Sequence, residues 1–143
     1  MWVLRRCYKP CLVTSCQVQP IERLLLAYDG SPSCKKMLTF LVESPAFKGL
    51  ELYIVTVAKS TEDETAIARI DEARQQARTG GFEPVCCLIE GHSEVAIAQY
   101  AEEANINLLL MGAYGHNRIR HLVIGSTTAQ ILRSSHIPVL LFR

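Results

Sequence analysis

Glu22-Arg23-Leu24-Leu25-Leu26-Ala27-Tyr28, followed at once by Asp29-Gly30-Ser31-Pro32, is the stretch on which the fold turns. A short, uninterrupted apolar run fits a strand buried on both faces, as the strands of a parallel sheet are. Ser31 has the side chain of a helix N-cap, and Pro32 suits the first helical turn. Met37, Leu38, Leu41 and Val42 then recur at helical spacing to about Ser44, where Pro45 stops the run. Strand, tight turn and helix in that order form the opening half of a βαβ unit.

The alternation continues to the C-terminus. Leu50–Val57 reads as a second strand, rich in β-branched and aromatic residues. Thr61–Arg78 reads as the longest helix. Glu62, Asp63 and Glu64 stand at its start and Arg74 and Arg78 near its end, the sense that suits the helix dipole. Gly80-Gly81 closes it. Pro84–Ile89 is a third strand, and Ser93 caps a third helix that Asn105 ends. Ile106–Met111 is a fourth strand, Gly112–Ile124 a loop, Ser126 to about Ser134 a fourth helix, and Val139–Phe142 a fifth strand. Strands alternating with helices predict an open α/β fold: a five-stranded parallel sheet with helices on both faces.

Composition narrows the function classes. The chain has 143 residues, the size of one domain. Fifteen basic residues against 14 acidic leave a formal charge of +1. That balance gives no general attraction to nucleic acid or to an anionic membrane, so any bound anion must be held locally. No apolar run approaches the ~18 residues of a membrane span. Arg5, Arg6 and Lys9 are not followed by the apolar core of a signal peptide, and the expected compartment is the cytoplasm. The six cysteines form no C-x-x-C pair, and the spacing of Cys7, Cys11 and Cys16 matches no zinc pattern. Reduced thiols are expected, with Cys86 and Cys87 acting as small hydrophobes in their strand.

Ligands of open parallel sheets bind beyond the carboxyl ends of the strands, where strand order reverses. The segments to inspect are therefore Asp29-Gly30-Ser31, Val57-Ala58, Gly91-His92 and Gly112-Ala113-Tyr114-Gly115. Gly112 and Gly115 allow a tight turn and a close approach of backbone to ligand. Gly125-Ser126-Thr127-Thr128 opens a helix whose first amides have no intrahelical partner and form an anion site. Hydrogen bonds to a charged group contribute roughly 1.5–3 kcal/mol each. Two or three of them, with the Ser126 and Thr127 hydroxyls, suffice for a triphosphate at micromolar strength, about 8 kcal/mol. Glycines in a loop and Gly-Ser at a helix start are also ordinary turn and cap chemistry. No lysine follows them as in a Walker A loop, and the G-x-G-x-x-G dinucleotide pattern is absent.

Gly112-x2-Gly115-x9-Gly125-Ser126 resembles, without a gap, the G-x2-G-x9-G-[S/T] signature of the universal stress protein family. The resemblance runs from about Ile21 to Arg143 and includes Leu24–Ser31 and the closing Ile137-Pro138-Val139-Leu140-Leu141. It implies the ATP-binding branch of that family, with strand order 3-2-1-4-5 in an adenine-nucleotide-hydrolase-like fold. Carried over by position, it implies that Asp29 lies near the ribose and that Ala27 and Val57 flank adenine. Met111 and Gly112 would stand beside the nucleoside, and Gly115, Gly125, Ser126, Thr127 and Thr128 at the phosphates. Ala27 stands where some members carry proline, a change that a backbone contact survives. Mg²⁺ would arrive with the nucleotide. Asp29 read on its own is equally a turn residue or a helix cap. His116, Arg118, Arg120 and His121 fall in the nine-residue insert, where exposed charges are usually just solvated.

No nucleophile, base and orienting acid converge, and no metal-ligand spacing appears, so neither catalytic nor metal residues are assigned. The expectation is nucleotide-dependent regulation, with slow ATP hydrolysis at most. The alternatives are a nucleotide-independent dimeric interaction module and a weak ATPase. An adenylating enzyme of related architecture would carry a Ser-Gly-Gly-x-Asp-Ser loop where this chain reads Asp29-Gly30-Ser31-Pro32.

Strand order 3-2-1-4-5 leaves the apolar Val139–Phe142 at an edge, which must be covered. The resemblance implies a homodimer in which two fifth strands pair antiparallel. Residues 1–20 offer another cover. Val3–Val13 aligns with Ile131–Leu141 at a constant offset of 128 residues, with four of eleven positions identical. The segment is thus an appendage to a domain of residues 21–143, a possible remnant of a preceding tandem domain. Its Pro10–Val13 would pair with Val139–Phe142 in its own chain or a neighbour's.

Overall fold

Leu24, Leu25 and Leu26 are all fully buried, which a strand achieves only where both faces of its sheet are covered. The computed structural model describes residues 9–15, 17, 19–113, 130–131 and 135–143. Within them the strands are β1 (Cys11–Val13), β2 (Arg23–Ala27), β3 (Glu51–Ala58), β4 (Val85–Glu90), β5 (Leu108–Gly112) and β6 (Val139–Phe142). The helices are α1 (Pro32–Glu43), α2 (Glu64–Thr79) and α3 (Ser93–Glu103), with a 3-10 turn at Pro45–Phe47.

One sheet holds all six strands in the order β1-β6-β5-β2-β3-β4. Strands β2 to β6 are mutually parallel and stand in the order the sequence predicts. The difference is a sixth strand. β1 pairs antiparallel with β6, Cys11 opposite Leu141, Leu12 opposite Leu140 and Val13 opposite Val139. Of the two expected covers for the fifth-strand edge, the chain's own N-terminal segment occupies the place. A second chain cannot pair along β6 while β1 lies there, because the same backbone groups are engaged.

Alternation along each strand divides the core. Leu24, Leu26, Ile54 and Leu110 pack with Met37, Leu38 and Leu41 of α1 and Ile70 of α2. Leu25, Val55 and Leu109 face the other way, onto Ile97 of α3 and Ile131. Gln130 and Ile131 are helical; the rest of the helix predicted over Ser126–Ser134 lies outside the described residues. Cys86 and Cys87 are half-buried against the two opposite cores, as their hydrophobe-like reading requires.

Three boundaries differ for identifiable reasons. α2 begins at Glu64 because Asp63 is its N-cap, accepting the Thr65 and Ala66 amides at 2.9 and 3.2 Å. α3 includes Ser93 as its first residue, so His92 rather than Ser93 is the N-cap, and it makes no side-chain cap bond. β5 starts two residues later than read because the Asn107 side chain accepts the Glu22 and Arg23 amides, at 3.0 and 2.9 Å, at the entry to β2. Among the described residues no helix is long and apolar enough to cross a membrane.

Candidate functional site

After β2 the chain builds outward through β3 and β4, then returns to β5 on the other flank of β2. The order therefore reverses between β2 and β5, and the crevice beyond their carboxyl ends is the expected ligand position for such a sheet. Ala27 and Met111 are direct partners there. Val57 lies near the end of the adjoining β3, half-buried. Ala27, Val57 and Met111 belong to the same core face, the one covered by α3. The three side chains so assigned from sequence are thus brought to one side of one crevice.

The loop after β2 is pinned from below. The Tyr28 amide donates to the Val55 carbonyl at 2.8 Å, and Thr56 Oγ1 donates to the Tyr28 carbonyl at 2.9 Å. Cys34 Sγ donates to the Ala27 carbonyl at 3.4 Å. Burial, then the nearby Asp29 carboxylate, pushes the Cys34 thiol up to about 11. It stays protonated at neutral pH and serves as a donor, not a nucleophile. Asp29 Oδ1 accepts the Ser31 amide at 2.8 Å, an Asx turn that Gly30 completes with φ 75°. Asp29 is therefore a turn residue by geometry and also a half-buried carboxylate at the mouth.

Gly112 has a reason that the sequence did not disclose. A Cβ at this position would stand 2.4 Å from Ser33 Oγ and 3.2 Å from Cys34 Sγ. The glycine lets the end of β5 pass against the first turn of α1. Ser33 and Cys34 are thus the residues that leave no room for a side chain at position 112. Their signal in the sequence was small side chains just after Pro32. Beyond Gly112 the Ala113 amide donates to the Phe142 carbonyl at 2.8 Å, which fixes where the glycine loop leaves the sheet. Gly115, Gly125, Ser126, Thr127 and Thr128 lie outside the described residues, as do His116, Arg118, Arg120 and His121.

His92 is not part of this group. It is exposed and follows β4, which stands on the far side of β3 from β2. His136 is also remote, beside a cleft of about 240 Å³ at the opposite end of the sheet. Arg69 of α2 lays its methylenes against Gly30, 3.2 Å from where a Cβ would be, and brings a guanidinium near the loop. Among the described residues no group of three or more His, Cys, Asp or Glu side chains is placed to hold a metal ion.

The universal stress protein family model matches residues 20–143, the whole of the parallel domain. This chain belongs to the universal stress protein family. A universal stress protein of Synechocystis, Slr1230, is 53% identical over 141 residues, covering 99% of this chain and 49% of the relative. The chain thus spans about half of that relative's length. A universal stress protein structure from Archaeoglobus fulgidus superposes with a TM-score of 0.75 at 24% identity, over 97% of this chain and 51% of the other. Two further similar structures are nucleotide complexes. One is a universal stress protein in complex with cAMP (TM-score 0.68, 23% identity, 85% of this chain and 96% of that one). The other is a shorter universal stress protein from Archaeoglobus fulgidus in complex with dAMP (TM-score 0.67, 20% identity, 87% of this chain and 98% of that one). At these identities the structures establish the shared fold. In this universal stress protein, as in any open α/β sheet, the reversal of strand order defines one crevice, and the residues around it are those described above.

Proposed function

We propose that this universal stress protein domain binds ATP in the crevice between the ends of β2 and β5, as a nucleotide-dependent regulator. One observation carries the reading. The glycine signature starts at Gly112, the last residue of the strand that borders the switch point, one residue beyond Met111, the ladder partner of Ala27. A G-x2-G-x9-G-[S/T] loop anywhere else on the sheet would be turn chemistry alone.

The described residues fit the nucleoside end. Ala27, Val57 and Met111 offer an apolar flank for a purine, and the Asp29 carboxylate supplies an acceptor for ribose hydroxyls. Gly115, Gly125, Ser126 and Thr127 would hold the phosphates with backbone amides and hydroxyls, with Thr128 adjoining, and Mg²⁺ would travel with the triphosphate. The cAMP and dAMP complexes of relatives support an adenine nucleotide as the ligand class. The domain acts by holding the nucleotide, and the cytoplasm is its expected compartment.

Calorimetric titration of the purified protein with ATP, AMP and cAMP, with and without Mg²⁺, tests the reading. Saturable binding of ATP, lost in Gly125→Val while the circular dichroism spectrum is kept, is the expected result. No heat at millimolar nucleotide, in protein shown free of co-purified nucleotide, would leave the interaction-module reading in its place.

A further inference from the structure

α2 carries three arginines, and two of them have acidic partners: Arg74 pairs with Asp71, and Arg78 with Glu83. Among the described residues Arg69 has none. Its helical neighbour of opposite charge is Glu72, but that carboxylate pairs with Lys35 of α1 at 2.9 Å. All 14 acidic residues of the chain lie among the described residues, and none of them forms an ion pair with Arg69.

Packing fixes this side chain. Arg69 Cδ, Cγ and Nε lie 3.2, 3.3 and 3.4 Å from where a Cβ on Gly30 would stand. The glycine thus leaves a bed for the arginine stem, besides supplying the φ of 75° on which the turn depends. Arg69 is half-buried there. A cation held beside a loop at the mouth of a crevice, with no counter-charge from its own chain, is a seat for an anion.

Position decides which anion. α2 packs on β3 and β4, on the other flank of β2 from the glycine signature. Arg69 therefore stands apart from the segment to which the 5′-phosphates are assigned. Its neighbour across Gly30 is Asp29, whose Oδ1 accepts the Ser31 amide at 2.8 Å. Under the proposed function, on which this inference rests, Asp29 faces the ribose hydroxyls. A carboxylate at that edge accepts a hydroxyl and repels a phosphoryl group esterified to it, whereas an arginine there accommodates the phosphoryl group. The Asp29-Gly30 turn brings the two side chains to one place.

We propose that Arg69 is a specificity residue of the nucleotide site, its guanidinium receiving a phosphoryl group on the 2′ or 3′ oxygen of the ribose. The ligand class is then adenine nucleotides phosphorylated on that edge of the ribose as well as at the 5′ position. Arg69 offsets the charge of Asp29 toward them.

Calorimetry on the full chain compares AMP with adenosine 2′,5′-bisphosphate and adenosine 3′,5′-bisphosphate in wild type, Arg69→Gln and Arg69→Lys. One of the bisphosphates should bind wild type about tenfold tighter than AMP or better, as a hydrogen bond to a charged group allows. That ratio should shrink as salt is raised, fall to about one in Arg69→Gln and take an intermediate value in Arg69→Lys. A residue that only packs on Gly30 would move all the affinities together and leave the ratio intact, which would overturn the proposal. Bisphosphates that bind wild type no tighter than AMP would overturn it as well. If AMP still binds in either case, only the role of Arg69 is lost. If nucleotide-free protein binds none of the three, the nucleotide site is lost with it. Circular dichroism checks the fold of the variants, and should Arg69→Gln fail to fold, the wild-type ratio and its salt dependence decide.

Discussion

Gly112 carries a packing constraint that its place in the glycine signature does not reveal. Its place in a glycine signature suggested a close approach of backbone to ligand, whereas its measurable constraint is Ser33 Oγ, 2.4 Å from the absent Cβ. That contact links residues 79 apart in sequence, so no local pattern encodes it. Ser33 is buried and its hydroxyl lies 3.2 Å from Ser31 Oγ, so it has little room to retreat. Gly112→Ala should therefore destabilise the protein by about 1–3 kcal/mol, as overpacked cores do. Adding Ser33→Ala should recover part of the loss in urea denaturation. Equal stability of Gly112→Ala and wild type would show that α1 moves aside freely. Cys34, in the same turn, carries a pH signature. Its thiol is raised from 9.0 to about 11, chiefly by burial, so between those values the unfolded chain releases a proton that the folded chain keeps. Stability contributed by this group is complete below pH 9 and is lost as pH rises toward 11. The melting temperature should fall across that window, and Cys34→Ala should flatten the fall. An unchanged slope in the variant would assign the alkaline loss elsewhere, with Tyr28, raised to about 12 by burial, the next group to test.

Elements were legible where pattern and chemistry coincide and shifted where a side chain competes with the ladder. β2 and β6 were placed within a residue or two because buried parallel strands are continuous apolar runs. α1 was legible from Ser31-Pro32 at one end and Pro45 at the other, and Ser31 does accept the Cys34 amide, at 3.4 Å. The start of α2 was ambiguous because Thr61, Glu62, Asp63 and Glu64 are all plausible in a first turn. Only geometry decides that Asp63 takes the cap, with two amides on one carboxylate oxygen. Asp63→Ala should cost about 1 kcal/mol, the usual loss of a helix cap, while Glu62→Ala should cost little, since Glu62 lies in the turn before the helix. Thermal denaturation of the pair checks this; equal losses would mean that acidic charge near the helix start, not the cap, is what matters. In the candidate site, the strand-end residues were legible because topology alone puts them at the mouth. Thr56 and Arg69 were not, because one acts through a hydrogen bond to Tyr28 and the other through packing on Gly30.

At the scale of the whole molecule, the parallel domain and the N-terminal strand should behave as two units of unequal stability. β2, β3 and β5 run through both cores, and their central residues are fully or nearly fully buried. β1 is a three-residue antiparallel strand at the sheet edge, with Leu12 exposed. A segment with so few buried contacts opens locally, at a free energy well below that of global unfolding. Nucleotide binding separates the two kinds of opening. If ATP binds the native crevice and not the unfolded chain, then at 100 times its dissociation constant it stabilises against global unfolding by about 2.7 kcal/mol, roughly 100-fold in the exchange rate of globally protected amides. Opening of β1 alone leaves the crevice between β2 and β5 intact, since β6 and β5 lie between them. The nucleotide stays bound through that event and cannot oppose it. Hydrogen exchange with and without saturating ATP should therefore slow the Leu25 and Leu110 amides by about two orders of magnitude, with the β1 amides unchanged. Equal slowing at β1 would mean that the N-terminal strand opens only when the whole domain does, making it an integral strand of this sheet. No slowing anywhere, with binding shown by titration, would mean that the protected amides exchange from states in which the crevice still holds its ligand.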